Sequence, residues 1–390
     1  MVRSVEDNVS MAPLIIGAGI GGLSTAIALQ RRGVAVRVFE AASTLSPLGA
    51  GILVPPNAMN ILERYGLAGQ VRGEGVPIES FIVLDRHGRV ISKLSASYTQ
   101  NGVSQQAVAI HRGQLQQVLL GALSPDTLST GKQCVQISSH TDHAEAMFGD
   151  GIKASADFIV GADGIRSAVR KLLFPETALR YSGQTCWRGV ATITLPVQWA
   201  NQFTEVWGVC GQFGFVPISE SQVYWFATRR LPANGFDDTE HLKQQLTDMF
   251  GSILEPIAEL IAQTDGSNII RNDLFDLAPL RSWARGRVVL VGDAAHAVMP
   301  NLGQGGAQAI EDSWVLSEML ATSKSLEEAF ARFQTMRRAR ARKIASMSRD
   351  LAKISSLCNA TLCDIRDTLS RRTPAFITTR QFRGIYGMPY

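Results

Sequence analysis

The chain has 390 residues, a net charge of +4, and 45% hydrophobic against 18% charged side chains, the balance of a globular protein long enough for two domains with sizeable cores. It contains no run of roughly eighteen apolar residues, which excludes a spanning helix, and no cysteine pair with zinc-knuckle or redox CxxC spacing, so no metal site is expected. The five scattered cysteines, Cys134, Cys186, Cys210, Cys358 and Cys363, read as reduced structural thiols of a cytoplasmic protein.

Residues 1–11 carry Glu6 and Asp7 and no apolar centre, and read as a disordered leader, not a signal peptide. Residues 14–16 form a short apolar strand, with Pro13 placed where a strand tolerates a missing N–H. The loop Gly17-Ala18-Gly19-Ile20-Gly21-Gly22 leads into a helix over 23–32 that Gly33 ends, and 34–39 is a second strand closing on Glu40. Together these make a complete βαβ opening. Helices are expected at 57–65 and 114–123, paired strands at 81–84 and 89–94, a hairpin at 149–151 and a strand at 157–160. The middle changes character: 205–207, 213–218 and 223–228 are short aromatic strands, the pattern of an antiparallel sheet. Helices near 240–249 and 253–262, a buried strand at 287–291 and long helices at 307–320 and 326–353 follow. The tail 370–390 is assigned no element. The expected fold class is α/β: a Rossmann-like domain interrupted by an α+β antiparallel-sheet part and completed by C-terminal helices.

Three glycine–acid signatures punctuate this order. In the first, Gly17 permits a tight turn, Gly19 lets backbone approach a pyrophosphate, and Gly22 lets helix and strand pack closely. The helix start beyond Gly19 and Ile20 presents unpaired N–H groups and positive dipole to phosphate. Glu40, 23 residues after Gly17, can accept from both hydroxyls of a ribose. The second, Gly161-Ala162-Asp163-Gly164, runs on to Arg170; Asp163 is either a helix cap or a group beside a phosphate-binding arginine. Arg112, in His111-Arg112-Gly113-Gln114-Leu115, is a candidate phosphate fork, the alternative being an exposed surface arginine, and Arg170 is open in the same way.

The third signature is Gly292-Asp293-Ala294-Ala295-His296 followed by Pro300-Asn301-Leu302-Gly303-Gln304-Gly305-Gly306. Asp293 can hold the hydroxyls of a sugar-alcohol chain or cap a helix. Pro300, Gly303, Gly305 and Gly306 form a loop whose N–H groups can meet an anion at a helix start. His296 reads as a hydrogen-bonded packing histidine ahead of a catalytic one. Arg188, Phe213, Phe215 and Tyr224, with Trp187 and Trp225, either line a pocket or fill the core of the middle sheet. Residues 331–390 hold thirteen Lys/Arg against three Asp/Glu. This reads first as a helix face touching neighbouring carboxylates, then as a weak membrane-surface contact. Nucleic acid is not expected, because no aromatics interleave with the basic run.

Taken together, these motifs resemble the class A flavoprotein monooxygenases, the para-hydroxybenzoate-hydroxylase-like family, from about Leu14 to Arg342. Gly49-Ala50-Gly51-Ile52 with Pro56-Asn57-Ala58 belongs to the same likeness. The resemblance implies FAD, with Glu40 on the adenosine ribose, Arg112 at the pyrophosphate, Asp163 serving FAD and nicotinamide, and Asp293 on the ribityl chain. Ala41, Gly51, Val135 and Gly292 join the expected cofactor-binding set. It implies reduction by NADH or NADPH and transfer of oxygen from a C4a-hydroperoxyflavin to an aromatic ring, with no side chain acting as nucleophile. The FAD-binding domain is then expected at 12–76, 106–178 and 276–342, the substrate part at 77–105 and 179–275, and a C-terminal helix and tail at 343–390, in a monomer or homodimer. The segments 181–189 and 205–208 are similar to those of alkylquinolone 3-hydroxylases and also to salicylate, 3-hydroxybenzoate and urate hydroxylases. Several such relatives carry a basic residue where Gln212 stands, which weakens an anionic substrate such as urate. The rival readings are a flavin epoxidase of an isoprenoid, a nicotinamide-only dehydrogenase, which leaves the Asp293 loop unexplained, and a flavin-binding protein without turnover.

Overall fold

The computed structural model describes residues 12–45, 50–100 and 102–388, so the expected leader and Gly49 lie outside the described residues. The chain opens with β1 (Leu14–Ile16), α1 (Ile20–Gln30), β2 (Arg37–Phe39), β3 (Gly51–Val54), α2 (Pro56–Arg64) and α3 (Ala68–Glu74). Five strands follow: β4 (Val76–Ile78), β5 (Ser80–Asp85), β6 (Val90–Ser95), β7 (Ser97–Gln100) and β8 (Val103–His111). Next come α4 (Arg112–Gly121), β9 (Leu128–Ser129), β10 (Cys134–Ser139), β11 (Ala144–Phe148), β12 (Lys153–Ala156), β13 (Ile159–Gly161) and α5 (Ala168–Leu173). The middle holds β14 (Leu179–Thr192), β15 (Gln202–Trp207), β16 (Gly211–Pro217), β17 (Gln222–Arg230), α6 (Leu242–Phe250), α7 (Ile257–Ala262) and β18 (Ile270–Leu277). β19 (Ala284–Arg285), β20 (Val288–Leu290), α8 (Asp293–His296), α9 (Gly305–Thr322), α10 (Leu326–Ser355), α11 (Ala360–Arg371) and α12 (Ala375–Tyr386) complete it. The tail that the sequence left unassigned is thus largely helical.

One sheet has the order β19-β20-β13-β1-β2-β9. All its pairings are parallel except β19 with β20. This order explains why three distant signatures matter together. β20, β13, β1 and β2 are neighbours pointing the same way, so Gly292, Ala162, Gly17 and Glu40, which follow their ends, all emerge at one edge. Ligands of doubly wound sheets bind at that carboxyl edge. β1, β13 and β20 are buried throughout, as strands covered on both faces must be.

A second sheet, β18-β14-β17-β16-β15-β5-β6, is antiparallel except where β15 meets β5. Its two faces differ. Phe213, Phe215, Trp225, Val223 and Val206 pack with Leu246, Phe250 and Leu260 from α6 and α7. Phe213 and Phe215 are fully buried there, Phe213 stacking on Trp225 at 5.4 Å and Phe215 meeting Trp199 edge-on at 5.6 Å. This corrects the expectation that they line a pocket. The alternation of a strand gives the two faces but not which one is covered, and α6 and α7 take the Phe213–Phe215 face. Trp187 joins the same cluster.

Two further expectations meet the structure in α10 and beyond. The basic run is largely engaged inside the protein. Arg337 is fully buried between Glu311 and Asp312, Arg340 bonds Glu311, and Arg349 bonds Asp276. Cys210 and Cys358 form a disulfide, which corrects the reading of five free thiols. Their 148-residue separation hides the pairing from sequence inspection; α10 carries Cys358 back to the β15–β16 turn, where Cys210 N–H donates to Leu357 O at 2.7 Å. Cys134, Cys186 and Cys363 are free and buried. Among the described residues no helix is long and apolar enough to cross a membrane.

Candidate functional site

The first loop is shaped by close approaches that only glycine allows. Gly17 has φ +105°, and a Cβ there would lie 2.6 Å from Ala162 O; a Cβ on Gly22 would lie 1.9 Å from Gly17 O. Gly19 is the opposite case, with no atom within 4 Å of where its Cβ would point. It precedes α1 in extended conformation with no side-chain cap, which leaves the first N–H groups of that helix directed at the open space. Glu40 accepts from Ala18 N–H at 2.7 Å and Ala42 N–H at 2.9 Å, with exposed Ala41 between. Gly131 and Lys132 bond back to Ala42 and Glu40, and this brings Val135, 43% exposed at a bulge in β10, toward the same rim.

Arg112 is the exposed first residue of α4, its N–H bonded to Ala50 O at 3.1 Å beside Gly51. Asp163 behaves as a cap: its carboxylate accepts from the Ser167 hydroxyl and from Val169 N–H at 3.0 Å, at the start of α5. Arg170 is neither a surface charge nor an open fork. It is 2% exposed and donates to Ile165 O and to Ala294 O at 3.1 Å, fastening the second signature to the third.

Asp293 opens onto the same cleft while protein surrounds it on the other sides. That depth pushes its carboxyl above the usual range, against the pull of His296, Arg112 and Arg170. Gly292, with φ +57°, sends its N–H to Asp312 at 2.8 Å, and His296 bonds the same oxygen at 2.6 Å while lying 4.8 Å from the Trp283 ring. His296 is therefore a packing and hydrogen-bonding residue, as its sequence context suggested.

Pro300–Leu302 is a single 3-10 turn, Gly303 is left-handed at φ +61°, and α9 starts at Gly305 with neither a side-chain cap nor an acid in its first turn. A Cβ on Gly306 would lie 3.2 Å from Ile52 and 3.5 Å from buried Ile20, so the starts of α1 and α9 meet beside β3. Two uncapped helix N-termini, each about half a positive charge, thus border one cleft.

A buried polar network holds this loop, and sequence reasoning missed it. Gln304 Oε1 accepts from Asn57 Nδ2 at 3.0 Å and from Gln308 Nε2 at 3.1 Å; Asn57 Nδ2 also donates to Glu311 at 2.6 Å. Glu311 and Asp312 are in turn paired with Arg337. Gln304, Gln308, Glu311, Asp312 and Arg337 are all fully buried. The spacing of Gln304, Gln308 and Glu311, four and then three apart on one helix, is the signal that could have found it.

Across the cleft lies the second face of the seven-stranded sheet. A Cβ on Gly51 would come 2.4 Å from Tyr224 Cβ, so Tyr224 covers that glycine. Tyr224 shares its face with Phe226, Val190 and Arg188 through the register of β14 and β17, and with Val216 and Gly214 of β16. Arg188 hydrogen-bonds Tyr224 and donates to Asn272 Oδ1 at 3.1 Å. Of the four expected lining residues, Arg188 and Tyr224 face the cleft and Phe213 and Phe215 do not. The open glycine contact at Gly19, the glycines at 51, 303, 305 and 306, and the two free helix starts fit a dinucleotide with two phosphates and a flat ring beneath the sheet.

A family model described as FAD binding domain matches residues 10–348. The chain is 40% identical over 358 residues to the aurachin C monooxygenase/isomerase of Stigmatella aurantiaca, covering 92% of this chain and 93% of that one. It is 35% identical over 370 residues to the 2-heptyl-3-hydroxy-4(1H)-quinolone synthase of Pseudomonas aeruginosa strain UCBPP-PA14, covering 93% and 94%. Its fold is similar to the crystal structure of Klebsiella pneumoniae HpxO complexed with FAD and uric acid, with a TM-score of 0.86, 28% identity, and 97% and 96% of the two chains covered.

Proposed function

The chain belongs to the FAD-binding domain family and is a FAD-dependent monooxygenase, and on that premise we propose that it uses NADH or NADPH and O2 to hydroxylate a neutral heteroaromatic ring of the quinolone type. The observation that carries the substrate class is the chemistry of the open sheet face. Gln212 is a neutral, buried amide, and Arg188, which lies beside Tyr224 on that face, is engaged by Tyr224 and Asn272. An anionic ring beside Tyr224 would meet an arginine already engaged, whereas a neutral ring carrying its own donor and acceptor suits the site.

FAD, when bound, accepts hydride from the nicotinamide and activates O2. In this reading the N–H groups at the start of α1 bind the pyrophosphate, Arg112 forks a phosphate oxygen, Glu40 accepts from the adenosine ribose and Asp293 from the ribityl hydroxyls. The start of α9 stabilises negative charge on the reduced ring. Asp163 and Arg170 act one step back, setting the loops that carry these groups. Tyr224, Phe226 and Val216 hold the substrate ring and keep water away. No side chain serves as a nucleophile.

The test is NADH and NADPH oxidation under air by the FAD-loaded protein with 2-alkyl-4-quinolones, salicylate, 3-hydroxybenzoate, urate and an isoprenoid olefin. The expected result is reductant consumption coupled to a ring-hydroxylated quinolone. Product from an anionic ring only, or an epoxide only, overturns the substrate reading.

A further inference from the structure

Glu205 lies on β15 and has no part in the reading above. It alternates with Val206, which faces α6 and α7, so Glu205 shares the cleft face with Phe203 and Trp207. Its Oε1 accepts the indole N–H of Trp207 at 2.8 Å. Its partner across the ladder is Gly214, and the Phe226 ring lies over that glycine, where a Cβ would meet the ring edge at 2.3 Å. The carboxyl therefore sits beside aromatic rings, and no cation pairs with it among the described residues.

Nearby acceptors are also unspent. Gln212, in register with Trp207 on one side and Thr228 on the other, is 3% exposed, and Thr228 is 2% exposed. Gln212 Oε1 and Thr228 Oγ1 have no hydrogen-bond partner among the described residues. Burying such groups unpaired costs about 1–3 kcal/mol each, which marks them as groups awaiting a ligand donor. Burial pushes the Glu205 carboxyl up to about 7, with the Trp207 bond pulling the other way. The Trp207 ring is itself fixed by Arg366 of α11, 5.0 Å from its centre.

We infer that Glu205 recognises the substrate by accepting a hydrogen bond from a ring N–H, an inference that rests on the heteroaromatic reading above. β15 is two strands from β17, about 10 Å across the sheet, a distance that a two-ring heteroaromatic beneath Phe226 spans. A hydrogen bond from the ring N–H to a carboxylate pushes the nitrogen lone pair toward the carbon two bonds away, the one an electrophilic oxygen attacks. No proton need leave the nitrogen for this, and the carboxylate is unchanged at the end. Titratable and charged groups on the elements around Glu205 include Cys363, Asp364, Arg366 and Asp367 of α11, Asp364 being bonded to Arg86; Asp85 of β5, bonded to Arg89 and Arg371; Arg188, Tyr224, Arg229 and Arg230 on the central strands; and Tyr386 of α12 beyond Phe81. None of them bonds the Glu205 carboxylate.

The experiment measures binding of 2-methyl-4-quinolone and its N-methyl analogue to the FAD-loaded protein from pH 6 to 8.5, read by tryptophan fluorescence and by flavin absorbance. Wild type should bind the N–H compound about tenfold more tightly than the N-methyl one. Its affinity should rise with pH through about 7, as the carboxyl ionises. Glu205→Gln, whose amide oxygen still accepts, should abolish the pH dependence, and Glu205→Leu should abolish the preference as well, both keeping their flavin. Trp207→Phe, which removes the bond that favours the carboxylate, should move the rise to higher pH. Equal binding of the two quinolones by wild type, an unchanged pH profile in Glu205→Gln, or an unchanged preference in Glu205→Leu overturns the inference and leaves the monooxygenase reading standing. Failure of wild type to bind either quinolone removes the substrate class and this inference with it.

Discussion

Replacing Arg337 with Met tests whether the buried charge network sets the cofactor loop. Arg337 is 0% exposed; Nε bonds Asp312 at 2.6 Å, Nη1 bonds Glu311, and Nη2 bonds Gln308 O at 3.1 Å and Oε1 at 2.8 Å. Methionine keeps much of the aliphatic volume and removes the charge. Deleting one partner of a buried ion pair costs about 3–5 kcal/mol. Here Glu311 retains Arg340 at 2.6 and 2.7 Å, and Asp312 retains Gly292 N–H and His296, so the cost falls at the lower end, about 3 kcal/mol. That is a large share of a typical stability of about 5–15 kcal/mol. Urea unfolding should shift to lower concentration, and the flavin-to-protein absorbance ratio should fall, because Asp312 positions the Gly292–Asp293 turn. Adding Asp312→Asn should recover part of the loss. The pH dependence has a definite sign. Burial works to raise the Asp312 carboxyl, but His296 and Arg337 outweigh it and hold it below 3.8. A depressed folded value stabilises the protein above the unfolded value and is lost as pH falls toward the folded one, so the gap between wild type and variant should narrow below about pH 4. Unchanged urea midpoint and flavin content in Arg337→Met would refute the reasoning.

Asp293→Ala should lower FAD retention on a desalting column, and undiminished flavin content argues against its ribityl role. Gly51→Ala drives a Cβ into Tyr224 Cβ, so it should cost about 1–3 kcal/mol in thermal unfolding and weaken flavin binding, whereas Gly19→Ala, with open space at its Cβ, should leave stability nearly unchanged. Thiol titration under denaturing conditions should give three reactive groups without reductant and five with it. A count of five from protein prepared and denatured under air speaks against the Cys210–Cys358 link.

The nucleotide side of the fold was legible because its signals are local. A glycine that must turn tightly, a helix start and an acid at the next strand end lie within 24 residues, and each has a steric or electrostatic reason readable without coordinates. Tyr224, Arg188, Phe213 and Phe215 were left together as either pocket lining or core, since a period of two assigns faces only relative to one another, and the structure places the first two on the cleft face and the last two under α6 and α7. Arg337 and Arg340 were visible as charge and invisible as partners, because Glu311 and Asp312 lie a helix away. Glu205 was read only as part of an aromatic strand for a related reason: a single acid among aromatics looks like an ordinary strand residue until the sheet shows which side it occupies.

The helix α10 runs roughly 45 Å and touches nearly everything that matters along that length. Near its start Arg337 holds the turn carrying Asp293; farther along, Arg349 grips Asp276 of β18; at its end Gln184 donates to Ala352 O and Ser356, and Cys358 is tied to the β15–β16 turn. It behaves as a strut common to the nucleotide sheet and the substrate sheet. Hinge rotation of one sheet against the other would have to bend this rod or break a covalent tie. The turn at Pro300–Leu302 belongs to the same frame, since Leu302 packs against Ile344 and Met347 of the strut, so the cleft between the two sheets keeps one spacing along the length of the rod.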